Sequence, residues 1–165
     1  VDVSDVDPFR PEGVEWTPVS PRLVGLRLVS AGLSALALAV GVAVAAGLSG
    51  VWWPWLGLLL PVLGLAWSAV LVPARVRSWG YAEREDDLMI KRGVLFRALT
   101  VVPYGRMQYV DVNAGPLDRL FRVATVQLHT ASAATDATIP GLVPAEAARL
   151  RDRLTARGRA RLAGL

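Results

Sequence analysis

The sequence predicts a membrane-spanning α-helical hairpin joined to an α+β or all-β domain of short antiparallel strands, closed by one C-terminal helix. Three observations carry this. Residues 28–74 contain no Asp, Glu, Lys, Arg or His over 47 positions. From Trp79 onward apolar residues alternate with a period of two, as in strands with one buried face. From Pro144 onward the period becomes that of a helix.

A spanning helix needs about 20 apolar residues. The uncharged run is too long for one span and fits two around a tight turn, Leu48-Ser49-Gly50-Val51-Trp52-Trp53-Pro54-Trp55. The expected organisation is a flexible N-terminal segment over 1–22, a hairpin over 23–74, a soluble domain over 75–157 and a basic tail over 158–165. The lead is acidic and proline-rich, without periodicity, and no cleavable signal peptide fits it. In the first span Ala37, Gly41 and Ala45 recur every four residues, a spacing that lets another helix approach closely. Gly57 and Gly64, with Ala66 and Ser68, are their counterparts in the second span. These faces are expected to pack within the hairpin or, equally, to serve an oligomer. Pro54 suits a helix start, and Pro61 is expected to kink the second helix. Trp16, the cluster Trp52, Trp53 and Trp55, and Trp79 form an aromatic belt suited to the headgroup layers.

Orientation follows from charge. Arg22 and Arg27 precede the hairpin, Arg75 and Arg77 follow it, and the turn carries none. The positive-inside rule then puts both termini in the cytoplasm, with two spans between them. Formal charge is −2 over 1–27 and +6 over 75–165. A basic domain held at a bilayer is drawn to an anionic leaflet, although simple solubility explains the charge equally well.

Composition excludes several chemistries. There is no cysteine, hence no disulfide, thiolate metal site or Cys nucleophile. A single histidine, His129, does not build a multi-His metal site or a Ser-His-Asp triad. No glycine loop cradles phosphate, and the basic residues are not interleaved with exposed aromatics as nucleic-acid binding requires. Asp111, Asp118 and Asp136 form no recognisable metal or acid–base set. No enzyme activity, cofactor, nucleic acid or small-molecule substrate is expected.

Strands are expected over 81–85, 88–92, 94–102, 106–113, 125–130 and 137–140. Leu88 and Ile90 share one face, with Met89 and Lys91 on the other. Gly93 makes a tight turn. Leu95, Leu99 and Val101 are read as one face of the next strand, with Arg97 at an edge or bulge. Pro103 ends it. The apolar set shifts between Met107/Tyr109 and Val110/Val112, which predicts a bulge. Residues 114–121 form a turn or a one-turn helix. Val126 and Leu128 point inward, leaving His129 on the opposite face. Pro144 starts the last helix, Val143, Ala147, Leu150 and Leu154 line its apolar stripe, and Gly158 is its expected stop.

The ordered set resembles a known family. After two spans come Leu88-x-Ile90-x-x-Gly93, Val102-Pro103-Tyr104-x-Arg106-Met107-Gln108, Gly115-Pro116-Leu117-x-Arg119-Leu120-Phe121, Val126-x-Leu128-x-Thr130-Ala131 and Ile139-x-Gly141-Leu142, then Glu146-Ala147 on the final helix. This pattern resembles the bacterial pleckstrin-homology-like domains of the YdbS type over roughly 79–156. The resemblance implies a PH-like fold, a partly open barrel of about seven antiparallel strands in two sheets, capped by the C-terminal helix. It implies no enzyme activity. Leu117, Leu120 and Phe121 are expected to pack under the barrel. A glycine usually follows that Phe in the family; Arg122 stands there in this chain.

In eukaryotic PH domains basic residues around the first strand–strand loop bind phosphoinositides. The matching loop here, Glu83-Arg84-Glu85-Asp86-Asp87, is acidic, so that site is not supported. Candidate lipid or partner contacts are Lys91, Arg92, Arg97 and Arg106, with Arg157, Arg159 and Arg161 on a flexible tail. Arg97, Arg106, Arg119 and Arg122 read either as a patch for anionic lipid or a partner's acidic segment or, equally, as scattered surface arginines. The leading expectation is a non-enzymatic membrane protein whose domain binds protein, through self-association or assembly with a related PH-like membrane protein. Binding or sensing of anionic membrane lipid, and service as an auxiliary subunit of a transport or export complex, are the alternatives.

Overall fold

The computed structural model describes residues 14–131 and 135–163, with side chains to residue 160. The expected lead over 1–13, Ser132 and the Arg161 side chain lie outside the described residues. The chain forms two compact units: Val24–Ala74, and the segments before and after it, which fold together.

The first unit is the apolar hairpin. Helix α1 (Arg22–Ser49) and helix α2 (Leu59–Arg77), which a 3-10 turn (Trp53–Leu58) precedes, are long and apolar enough to cross a membrane. Gly50, at φ +67, follows the last residue of α1 in the left-handed position that favours glycine. Within the hairpin Val42 lies 3.0 Å from where a Gly57 side chain would begin, so that glycine allows a close approach. Ala46 and Pro61 are buried. The Ala37/Gly41/Ala45 stripe is different: all three are exposed, and a Cβ built on Gly41 or Gly64 meets nothing within 4 Å. The face of α1 that is covered runs instead through Ala35, Ala39, Val42 and Ala46. Pro61 sits in the first turn of α2, where its missing N–H costs nothing; the internal proline is Pro73, and the helix continues past it to Arg77. Residues 75–77, expected at the start of the soluble domain, are therefore its last turn.

The second unit is the PH-like domain. Its first sheet has the order β1-β2-β3-β4 and its second β5-β6-β7, all antiparallel. The strands are β1 (Thr17–Pro18), β2 (Gly80–Glu83), β3 (Asp87–Arg92), β4 (Ala98–Pro103), β5 (Met107–Asn113), β6 (Ala124–Thr130) and β7 (Ala137–Leu142). A short helix α3 (Pro116–Leu120) joins β5 to β6, and α4 (Pro144–Ala163) closes the chain. The two sheets are not closed into a single barrel.

Strand β1 precedes the hairpin, yet it pairs Thr17 with Tyr81 and Pro18 with Gly80. Ser20 then donates its N–H to the Gly141 carbonyl at 2.9 Å. A side chain at Gly141 (φ +73) would begin 2.7 Å from Leu23, so this glycine makes room for the incoming segment. The segment expected to be flexible over 1–22 is thus, where described, built into the domain. Trp16, expected in the membrane belt, lies half-buried with the Lys91 ammonium 4.3 Å from its ring centroid.

The core consists of Leu88, Ile90, Val102, Tyr104, Val126, Leu128, Ile139, Ala147, Leu150 and Leu154, each at most 3% exposed. Each fully buried aliphatic side chain contributes about 1.5–3 kcal/mol. The strand expected over 94–102 begins only at Ala98, and its inward residue is Val102, not Val101. The β5 bulge falls at Met107/Tyr109. Leu120 is 74% exposed rather than packed, and α4 runs through Gly158 instead of stopping there.

Candidate functional site

The predicted basic residues divide into two settings. Lys91 and Arg92 end β3, and Arg97 precedes β4, so the structure brings these three to one hairpin tip. Pairing of Arg92 with Ala98 leaves 93–97 as the loop. Gly93 has φ +105, and a Cβ there would lie 1.8 Å from the Phe96 carbonyl oxygen. Only glycine folds the loop this way. The loop turns three apolar residues outward: Val94 is 45% exposed, Leu95 83% and Phe96 88%. The sequence pattern missed this exposure because the run looks like half of a strand.

The root of the tip is fixed. Gly93 donates its N–H to Ser78 Oγ at 3.1 Å, and Ser78 directly follows the last residue of α2. Successive residues on a strand point to opposite faces. Accordingly Lys91 lies over Trp16, and the Arg92 guanidinium lies 6.0 Å from the Trp79 centroid.

Arg106 is exposed in the 3-10 turn Tyr104–Arg106, at the far end of β4 from Arg97. Six strand residues separate them, about 20 Å. Arg119 turns its Nε to the Ala114 carbonyl at 3.2 Å. The expected patch of Arg97, Arg106, Arg119 and Arg122 is therefore not assembled on one element. Arg159 is exposed near the end of α4.

Arg157 belongs to the other setting. It is not on a flexible tail: its Nη1 donates to the Arg84 carbonyl at 2.7 Å and to Tyr104 Oη at 2.8 Å. Tyr104 in turn donates to the Arg84 carbonyl at 3.0 Å. Beside it, Glu83 accepts from Arg149 at 2.9 Å and Arg153 at 3.3 Å, with Arg157 at 3.9 Å. Glu146 accepts from Tyr81 Oη at 2.5 Å and from Arg149. The Arg149 hydrogen bond is the main cause that draws the Glu146 carboxyl down to about 2, with Tyr81 assisting against burial. Burial first, and the Glu146 bond second, push the Tyr81 phenol up. Burial also raises Tyr104, which Arg157 partly offsets. This network fastens α4 to the β2 end of the first sheet.

With that geometry in hand, comparison with known proteins is direct. The family profile described as Bacterial PH domain matches residues 23–158. This chain belongs to that family. The bacterial PH domain chain is also 35% identical over 128 residues to the transmembrane protein YdbS of Bacillus subtilis (strain 168), covering 74% of this chain and 79% of that one. No solved structure matches it. The match runs through the apolar hairpin as well as the sheets, so hairpin and domain are one family unit.

Two further features of this bacterial PH domain lie apart from the tip. Arg122, where the family usually has glycine, has φ +53. Its N–H reaches the Arg119 carbonyl at 3.1 Å and that of Val123 reaches Asp118 at 2.9 Å, a Schellman closure of α3. That left-handed turn is the local reason glycine suits the position. On β6, His129 stacks on Tyr109 with ring centroids 4.4 Å apart. Its Nδ1 lies 3.0 Å from Asp136 and its Nε2 3.8 Å from Asp111. The backbone N–H of Thr130 is the main group lowering Asp136, and His129 adds to it. Asp118 is used elsewhere, accepting the Gly115 N–H at 2.8 Å. The two imidazole nitrogens face different carboxylates, and no group of three or more metal-ligating side chains occurs among the described residues.

Proposed function

We propose that this protein is a non-enzymatic, membrane-anchored module that holds its PH-like domain at the inner face of the bacterial cytoplasmic membrane for protein assembly. The observation that carries this reading is the β1–β2 pairing across the hairpin. Thr17, five residues before α1, and Tyr81, four residues after α2, are partners in one sheet. Both ends of the apolar hairpin are thereby tied to the same domain. Two spans with both termini on one side satisfy that tie, and Arg22, Arg27, Arg75 and Arg77 favour the cytoplasmic side.

The exposed Ala37/Gly41/Ala45 stripe supports a helix–helix partner, either a second copy or a related PH-like membrane protein. A second reading, contact with anionic lipid, is favoured by the apolar β3–β4 tip.

The absence of native cysteine makes the topology test clean. In intact cells, Val51→Cys is expected to react with a membrane-impermeant maleimide, and Glu85→Cys only after lysis. The reverse pattern would end the inner-face reading. Assembly is tested by crosslinking in native membranes and detergent pull-down with mass spectrometry. A lone, uncrosslinked monomer sinks it.

A further inference from the structure

We infer that the β3–β4 tip is a membrane-insertion loop: Leu95 and Phe96 enter the apolar edge of an anionic leaflet while Lys91, Arg92 and Arg97 lie among its headgroups. The inference deepens the anchoring reading above and rests on it.

Exposure is the first argument. A loop that only reverses the chain is served by polar turn residues, which keep water contact at no cost. Here Leu95 and Phe96 are 83% and 88% exposed, so the fold covers little of either side chain. Gly93 permits the shape of the loop, because any side chain there collides with the Phe96 carbonyl.

Location is the second argument. The N–H of Gly93 is bonded to Ser78, the residue that follows the last turn of α2. The loop therefore starts one hydrogen bond from the point where the chain leaves a helix fit to cross a bilayer.

Charge is the third argument. Lys91, Arg92 and Arg97 flank the apolar residues, and Arg75 and Arg77 lie just upstream of Ser78. Trp16 and Trp79 sit under Lys91 and Arg92. Exposed apolar residues beside cations suit the acyl edge and the headgroups of an anionic leaflet. The acidic residues of the PH-like domain's first loop, Glu83 to Asp87, lie at the opposite end of β3.

The test uses the full chain in vesicles of phosphatidylglycerol and phosphatidylethanolamine. Phe96→Cys and, independently, Leu95→Cys carry an environment-sensitive fluorophore; Arg106→Cys, at the far end of β4, is the reference. Both tip labels are expected to be blue-shifted and quenched about twofold or more by nitroxides on the acyl chains, with the reference unaffected. Arg92→Gln with Arg97→Gln is expected to reduce that quenching. Tip labels as accessible to aqueous iodide as the reference overturn the inference. Labels shielded from both quenchers also overturn it, because a protein surface then covers the tip. Acyl quenching does not depend on which side the domain occupies, whereas the maleimide test in cells does, so the two readings fail separately.

Discussion

On the α4 side of the domain, Arg149, Arg153 and Arg157 converge on one carboxylate, Glu83. At the β3–β4 tip, Lys91, Arg92 and Arg97 flank apolar side chains turned to the outside. Both regions are basic in sequence, and β3 runs between them. The difference lies in what the cations meet. In the first region charge is matched internally and holds a helix on a sheet. In the second, Lys91 and Arg92 lie against tryptophan rings, and the neighbouring loop exposes Leu and Phe. Basic composition alone does not separate a structural clamp from a contact surface; the partner of each cation does.

The sharpest way to break this contrast is at Gly93. Gly93→Ala is expected to cost about 2–4 kcal/mol, because both φ and the Phe96 carbonyl oppose it. Chemical unfolding monitored by circular dichroism reads this, and a wild-type midpoint would show that the loop is not shape-locked. Glu83→Ala follows at about 2 kcal/mol, since the carboxylate that gathers three guanidinium groups is lost.

Acid tests the same clamp without a mutation. Glu146 is held at about 2 in the folded protein against an ordinary 4.5. Its contribution is fully present above 4.5 and is lost as pH falls through the folded value. With a third of its surface wet, the contribution is about 1–2 kcal/mol after solvent screening. A melting series from pH 6 to 2.5 is expected to fall for wild type and to be flatter for Glu146→Gln.

Arg122→Gly is expected to stabilise the domain by about 1 kcal/mol, by relieving a left-handed backbone outside both regions. Phe96→Ser comes last. It is expected to change stability by less than about 0.5 kcal/mol, as an exposed side chain with no role in the core. A large loss there would make the tip structural and erase the distinction between the two ends.

Much of the architecture is legible in the sequence. The uncharged run, the period-two segments and the Ala147/Leu150/Leu154 stripe are local patterns, and each reads through to the hairpin, the strands and α4. What is not legible depends on distant partners. Strand β1 is two residues long and exists only because Tyr81 and Gly80 lie beside it. The Arg149 and Arg153 bonds to Glu83 join residues 66 and 70 positions apart. Leu95 and Phe96 misled for another reason: hydrophobic period reports a side chain's preference, not its surroundings. Lys91, Arg92 and Arg97 are candidate contacts in the sequence; that they share a hairpin tip with exposed Leu95 and Phe96 depends on the fold.

The pairing of Thr17 with Tyr81 also bears on the order of assembly. Closing so long a loop in an unconfined chain carries an entropic cost that grows with its length. A hairpin already seated in a bilayer brings its two ends together and removes most of that cost. In the membrane-anchored arrangement proposed above, the lipid phase serves as a splint for the sheet. A fragment cut at Arg75 would lack both the splint and the strand, leaving β2 with an open edge ready to pair with a neighbouring molecule.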